Sequence, residues 1–450
     1  MEKNILGTSK ISKLFIKFSI PAVIAMVIAG MQTVVDGIFV GNFIGSNAMA
    51  SISLGSPYIQ FVIGFSMLIS VGALSFMGRS LGEGNKKLTQ DIFKTSFILL
   101  SIGAIFFTII GIVFSKNIGL ALGANDILIG DVSSYIKTIS ICILPMALAF
   151  LIGFADRLVE KPDLYFKGML GSLIINITLN YLLIKKLQLG IQGAALATGL
   201  SYSSVFIIVL SPMIKKSNVI NLFVGKFNKK TIIPILYNGS SEAMSALATV
   251  VSAYLFNSAF IKIAGESGVA AFTSINYISQ FGVLIIFGIA DGITSIISYN
   301  YGAKDFDRVK SILILSLKIS FVVCLATFLV LFFFSKNLVT LFVASDKFVL
   351  DLAINGSKLY AFAFILNGFN IICSSYFTAI GYAKESIIIA LSRGLIFIIL
   401  GITIIPKILG MNGVWLTVPF SEITTFIISF YLMNKYKLPC NKSCKQALEY

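Results

Sequence analysis

The chain has 450 residues, 57% of them hydrophobic and only 12% charged, with a net charge of +16 and no histidine. Water-soluble domains carry about 25% charged residues, so a soluble enzyme is excluded. The lack of His also removes histidine metal sites, His-assisted triads and imidazole proton relays. Taken in chain order, long apolar runs separated by short polar clusters predict twelve membrane-spanning helices. They lie at 15–39, 50–78, 93–115, 134–155, 166–184, 192–212, 233–258, 269–298, 311–334, 353–380, 386–406 and 413–434. Each is long enough for the ~20 apolar residues that one crossing needs. The N-terminal stretch runs into the first span with no small-residue cleavage site, and reads as an uncleaved helix.

The basic residues record orientation rather than nucleic-acid binding. About three quarters of the 35 Lys and Arg fall in the N-terminus, the loops on the same side and the C-terminal tail. The rule that the basic side is cytoplasmic predicts a multi-pass protein of the cell membrane with both termini inside. Cys142, Cys324 and Cys373 lie in apolar runs and read as core residues. Cys440 and Cys444 sit in the basic tail, where neither a disulfide nor a metal site is expected.

The two halves repeat. FSKN at 114–117 recurs at 334–337, and the same offset places Asp126 over Asp346, Asp131 over Asp351 and LGIQG at 189–193 over LGMNG at 409–413. Polar and glycine matches at one constant offset are not chance. Six helices per half give both halves one orientation. The expectation is an all-α polytopic protein of two six-helix bundles, related by a pseudo-two-fold axis along the membrane normal, with a cleft between them. The N-lobe is expected at 1–215, a linker at 216–230 and the C-lobe, with its basic tail, at 231–450.

A charged side chain at bilayer depth costs on the order of 2.5–3.5 kcal/mol on insertion scales, so each intramembrane acid is a candidate. Asp36, Glu242, Asp291 and Glu422 lie within spans. A carboxylate held away from water takes up a proton more readily, which suits Asp36 in TVVDGIFVG to ion coupling; a structural hydrogen bond is the competing reading. Glu242, Asp291 and Glu422 are candidates for a substrate cavity, against structural ties such as Glu242 to Ser240 or Ser241. Asp156-Arg157 reads as a helix-end ion pair. Asn176 and Asn180 lie one turn apart on the fifth span, and the sixth offers Thr198 and Ser201. The 39 Phe and 12 Met suit lipid-facing surface better than a drug pocket. LGEGNKK at 81–87 lacks the P-loop spacing, so transport must draw on an ion gradient.

These stretches together resemble the MATE (multidrug and toxin extrusion) family: PAVIAMVIAGMQTVVDGIFVG at 21–41, LGIQGAALATGLS at 189–201, SYNYGAKDFDRVK at 298–310, SRGLIF at 392–397 and GMNGVWLTVPFSE at 410–422. The resemblance implies two six-helix lobes and export of organic cations or other amphiphiles in exchange for H+ or Na+, with no other cofactor. It places Asp36, Asn176 and Thr198 in a coupling cluster of the N-lobe, and Glu242 at the central cavity. Position 180 is Asn where the family pattern often has Asp, and the tenth span has no acid.

The function expected is therefore secondary antiport of small cationic or amphiphilic molecules across the bilayer, with no nucleic acid and no obligate protein partner. The alternative is a flippase for lipid-linked precursors, which needs a basic cavity, whereas Lys and Arg here are read as loop residues. A membrane enzyme needs an Asp-rich or His-containing motif, and none is present.

Overall fold

A backbone that crosses hydrocarbon must satisfy its own hydrogen bonds. The computed structural model describes residues 4–340 and 347–437, without the side chains of Glu266 and Lys347. Asp346, one member of the sequence repeat, and Cys440 and Cys444 lie outside the described residues. Among the described residues, ten helices can cross a membrane alone and two bent pairs complete a set of twelve. They are α1 (Ile11–Phe43), α2 (Ser46–Gly82), α3 (Lys86–Val113), α4 (Ile129–Ser140 and Ile143–Leu158), α5 (Asp163–Lys186) and α6 (Gly190–Met213). The second half continues with α7 (Lys229–Gly265), α8 (Ser267–Gly302), α9 (Phe306–Phe333), α10 (Phe348–Ala361 and Phe364–Ile380), α11 (Ala383–Leu409) and α12 (Met411–Lys435). The expected spans fall on these helices one for one.

The helices are apolar all round, as membrane spans are. On α1, Ile16, Ile20 and Ile24 form an exposed lipid-side row at i, i+4 spacing, while Phe18, Ala22 and Ala25 are buried. Gly265, at φ 61°, turns what is otherwise one helical run from Ile232 to Gly302 into α7 and α8; a residue with a Cβ is strained there.

The repeat is visible element by element. Asn85 and Asp305 cap α3 and α9, each accepting from a backbone N–H three residues on; side-chain acceptors at this position stabilise helix starts. Short helices Ser115–Ala121 and Ser335–Thr340 follow α3 and α9. The α4 and α10 pairs bend by 49° and 51°. Both α5 and α11 also contain a π-helical turn, at Asn180–Lys186 and at Ser392–Ile396, which the offset of the repeat does not superimpose. The halves are thus two lobes of one design, α1–α6 and α7–α12.

The lobes meet tightly on the face that carries the chain termini. Small residues let the backbones touch: a Cβ added at Gly72 would strike the carbonyl of Ile235, and one at Gly82 the carbonyl of Tyr299. Gly288 and Gly292 of α8 lie against Val23 and Ser19 of α1 in the same way. On that face the N-terminal segment also spans both lobes. Asn4 Nδ2 donates to the Leu158 carbonyl at 3.2 Å and the Ile5 N–H to Glu160 Oε1 at 2.8 Å, while Arg308 of α9 donates to the carbonyls of Leu6 and Ser9 at 3.0 and 2.7 Å. The segment expected to link the lobes lies on α3, where Asp91 Oδ1 accepts from the Lys226 N–H at 2.7 Å and Lys94 donates to the Leu222 carbonyl at 3.0 Å. Farther from this face the lobes diverge around a central cavity.

Candidate functional site

The first site lies inside the N-lobe, in the half of the membrane away from the termini. The Asp36 carboxylate accepts three hydrogen bonds. Asn176 Nδ2 and Asn180 Nδ2 reach Oδ1 at 2.9 and 2.7 Å, and Thr198 Oγ1 reaches Oδ2 at 2.7 Å. Asn176 and Asn180 are fully buried, and the one-turn spacing read in the sequence puts both on the face that meets α1. The π-helical turn begins at Asn180; such turns concentrate at functional sites because they re-aim side chains. All three donors are neutral, and no Lys or Arg forms an ion pair with Asp36 among the described residues. Asn180 Oδ1 is buried and has no donor partner among the described residues. One negative charge held by neutral amide N–H and hydroxyl donors, with no cation paired to it, suits uptake of a proton or a small cation.

The second site is the inter-lobe cavity, of about 540 Å³, within the range of small-molecule sites. Glu242 of α7, Asp291 and Phe287 of α8, Tyr360 of α10 and Arg393 of α11 line it. The Asp291 carboxylate is held across the lobes by Arg157 of α4, whose Nη2 lies 3.3 Å from Oδ2 and whose Nη1 donates to the Asp291 carbonyl at 2.7 Å. Arg157 is buried and also covers the Phe154 ring. The Glu242 carboxylate has no hydrogen-bond or ion-pair partner among the described residues; Ser240 donates to the Tyr237 carbonyl and Ser241 bonds Thr378 instead. Glu242 is thus a cavity acid that no cation touches directly, with Arg393 of the same wall acting on it through space.

The third cluster is enclosed in the C-lobe. Asn367 Nδ2 and Asn370 Nδ2 of α10 donate to the two carboxylate oxygens of Glu422, each at 2.7 Å, and Arg393 Nε lies 3.2 Å from Oε1. Arg393 is itself presented by the π-helical turn of α11, where Ser421 and Ser252 donate to the carbonyls of Arg393 and Gly394.

A family model, MatE, matches residues 21–182 and 243–403, the greater part of both lobes. The chain belongs to the MATE family. It is a membrane transporter rather than an enzyme. This MATE transporter is 26% identical over 422 residues to "Multidrug export protein MepA" of Staphylococcus aureus (strain bovine RF122 / ET3-1), covering 92% of this chain and 91% of that one. A MepA of Staphylococcus saprophyticus is 26% identical over 90% of this chain and 88% of its own length. The fold matches a solved structure described as the outward-facing conformation of a multidrug resistance MATE family transporter of the MOP superfamily. That match has TM-score 0.90 and 23% identity, and covers 97% of this chain and 98% of the other.

Seen in this transporter, the sequence reading needs three corrections. Glu422 does not line the cavity; three donors from α10 and α11 turn it into the C-lobe, where it is 3% exposed. Asp156 and Arg157 do not pair. Adjacent helical residues do not face each other, so Arg157 reaches Asp291 while both Asp156 oxygens are buried without a hydrogen-bond partner among the described residues. The basic residues are not confined to loops: Arg393 lines the cavity and Arg79 of α2 crosses to the Ala379 carbonyl of α10 at 2.9 Å. Arg393, Asn367 and Asn370 were missed. The signals were an arginine inside the apolar SRGLIF run and an i, i+3 pair of asparagines in LNGFN.

Proposed function

We propose that this transporter is a secondary antiporter that exports cationic and amphiphilic molecules in exchange for H+ or Na+. The single observation that carries this reading is the pairing of two separate sites. A buried carboxylate with neutral ligands lies inside one lobe, and a drug-sized cavity with an acid that no cation contacts directly lies between the lobes. Ion binding at Asp36 changes the charge within the α1–α5–α6 packing, and α1 also contacts α8 across the seam. Binding there can thus bias the lobes between two arrangements. Asn176, Asn180 and Thr198 serve as the other ligands, and Glu242 meets the cationic end of the substrate. Asp291 belongs to the cavity wall and to the inter-lobe tie. The relatives' names support multidrug export, and the fold neighbour supports an outward-facing arrangement. The basic loops support a cytoplasmic termini face, which makes the closed seam the inner gate, and a place in the cell membrane.

The C-lobe cluster carries its own cation in Arg393, so coupling is assigned to the N-lobe alone. In proteoliposomes holding a fluorescent organic cation, an imposed proton or sodium gradient is expected to drive efflux. Glu242→Gln is expected to weaken transport of the cation by about tenfold, the worth of one charge-assisted contact. Efflux that ignores both gradients, or a Glu242→Gln protein with wild-type transport, contradicts the proposal.

A further inference from the structure

The lipid-facing side of the lobe seam carries three lysines that the transport mechanism does not use. Lys13 and Lys17 lie one turn apart on α1, Lys318 lies on α9, and all three are exposed. None makes an ion pair or a side-chain hydrogen bond among the described residues. Their surroundings are apolar. Lys17 stands between Ile16 and Ile20 in the exposed row of α1, and Lys318 between the exposed Ile314 and Phe321, one turn to either side. An ammonium left in hydrocarbon without a counter-ion is costly, and the protein supplies none here.

The two helices belong to different lobes, yet both pack on α8 and touch each other. Their starts are level, because Arg308 donates to the Ser9 carbonyl at 2.7 Å. At about 1.5 Å per residue, Lys17 lies roughly 10 Å beyond that level and Lys318 roughly 15 Å. Side chains lean toward the N-terminus of their helix, which for both helices is the termini face. Lysine stems also carry their heads toward water along apolar surface. The ammonium groups of Lys17 and Lys318 thus approach one level from opposite lobes, with Lys13 a turn nearer the face.

We infer that this α1–α9 junction binds the headgroup phosphate of an anionic phospholipid in the leaflet on the termini side, and that the lipid clamps the lobes while that face is closed. Basic side chains between membrane helices collect acidic headgroups, and the exposed isoleucines of α1 and Ile314 and Phe321 of α9 give the acyl chains a surface. Separation of α1 from α9 breaks the bridge, so the lipid favours the arrangement in which the termini face is shut. The inference needs lobes that part at the seam and holds whatever is transported.

The test reads opening of the seam in two bilayers. Ser298 of α8 is fully buried opposite Gly78, so Ser298→Cys, in the full-length protein with the native cysteines replaced, reports opening through modification by N-ethylmaleimide. Modification is expected to be about fivefold slower in nanodiscs of equal parts phosphatidylcholine and phosphatidylglycerol than in phosphatidylcholine alone. Lys17→Gln/Lys318→Gln is expected to lose that difference, and Lys17→Arg/Lys318→Arg to keep it. Lys229→Gln/Lys230→Gln, which removes the same charge from exposed positions at the start of α7, is expected to keep it as well. Wild-type rates that are equal or faster with phosphatidylglycerol overturn the inference. So does a difference that survives in Lys17→Gln/Lys318→Gln, or one that Lys229→Gln/Lys230→Gln abolishes equally, since bulk surface charge then accounts for it. A cysteine at 298 that reacts in neither bilayer overturns both this inference and the moving seam.

Discussion

Asp36→Asn is expected to abolish gradient-driven efflux while leaving a folded protein in the membrane. The substitution is nearly isosteric, and an amide oxygen in the place of Oδ1 can still accept from Asn176 and Asn180. It cannot carry the negative charge that an incoming proton or cation must neutralise, so the gradient loses its point of action. Each charge moved through 100 mV is worth about 2.3 kcal/mol, which is more than tenfold in substrate accumulation, and the variant forfeits all of it. Reconstituted vesicles report the effect as efflux under an imposed gradient at matched protein levels. Wild-type rates in that variant remove Asp36 from the mechanism.

Gly72→Leu is the second large effect, and it acts on the conformational equilibrium instead of on charge. At this position α2 lies so close to α7 that an added Cβ meets the Ile235 carbonyl and the Gly239 nitrogen, both backbone atoms. No rotamer change relieves that clash, so the lobes must separate. Overpacking a core costs about 1–3 kcal/mol, equivalent to a roughly ten- to hundredfold loss of the closed termini face. Ser298 of α8 is fully buried opposite Gly78 in the same seam. With Ser298→Cys as reporter and the native cysteines replaced, maleimide modification is expected to accelerate by that factor when Gly72→Leu is added. The control is Gly130→Leu, where a Cβ meets nothing. Equal rates in the two backgrounds contradict the gate.

The sequence yielded the spans and the repeat because both rest on signals that survive without knowledge of packing. Runs of apolar residues mark crossings, and glycines, caps and FSKN mark corresponding turns of the two halves. The Asp36 cluster was legible for a local reason: Asn176 and Asn180 share a face by spacing alone, and the motif resemblance brought Thr198 to them. Rotation about a helix axis was not legible. These helices are apolar on every side, so nothing in the pattern around Glu422 told whether it faced the cavity or the C-lobe interior. Likewise Asp156 and Arg157 are neighbours in sequence but diverge by a helical step, and the partner of Arg157 comes from the other lobe. Arg393 escaped notice because an arginine in an apolar run reads alike whether it reaches a loop or, as here, turns to an acid on another helix, Glu422 of α12.

The most direct measurement of the account is the distance between the lobes on the face away from the termini, read by electron spin resonance with nitroxides at Asn47→Cys and Lys262→Cys, both exposed positions near the ends of α2 and α7. In nanodiscs the wild-type distance distribution is expected to shift when protons or sodium are added. In Asp36→Asn it is expected to stay fixed under the same additions. A wild-type distribution that ignores both ions, or an Asp36→Asn protein that responds as the wild type does, contradicts the claim that this carboxylate governs the movement of the two lobes.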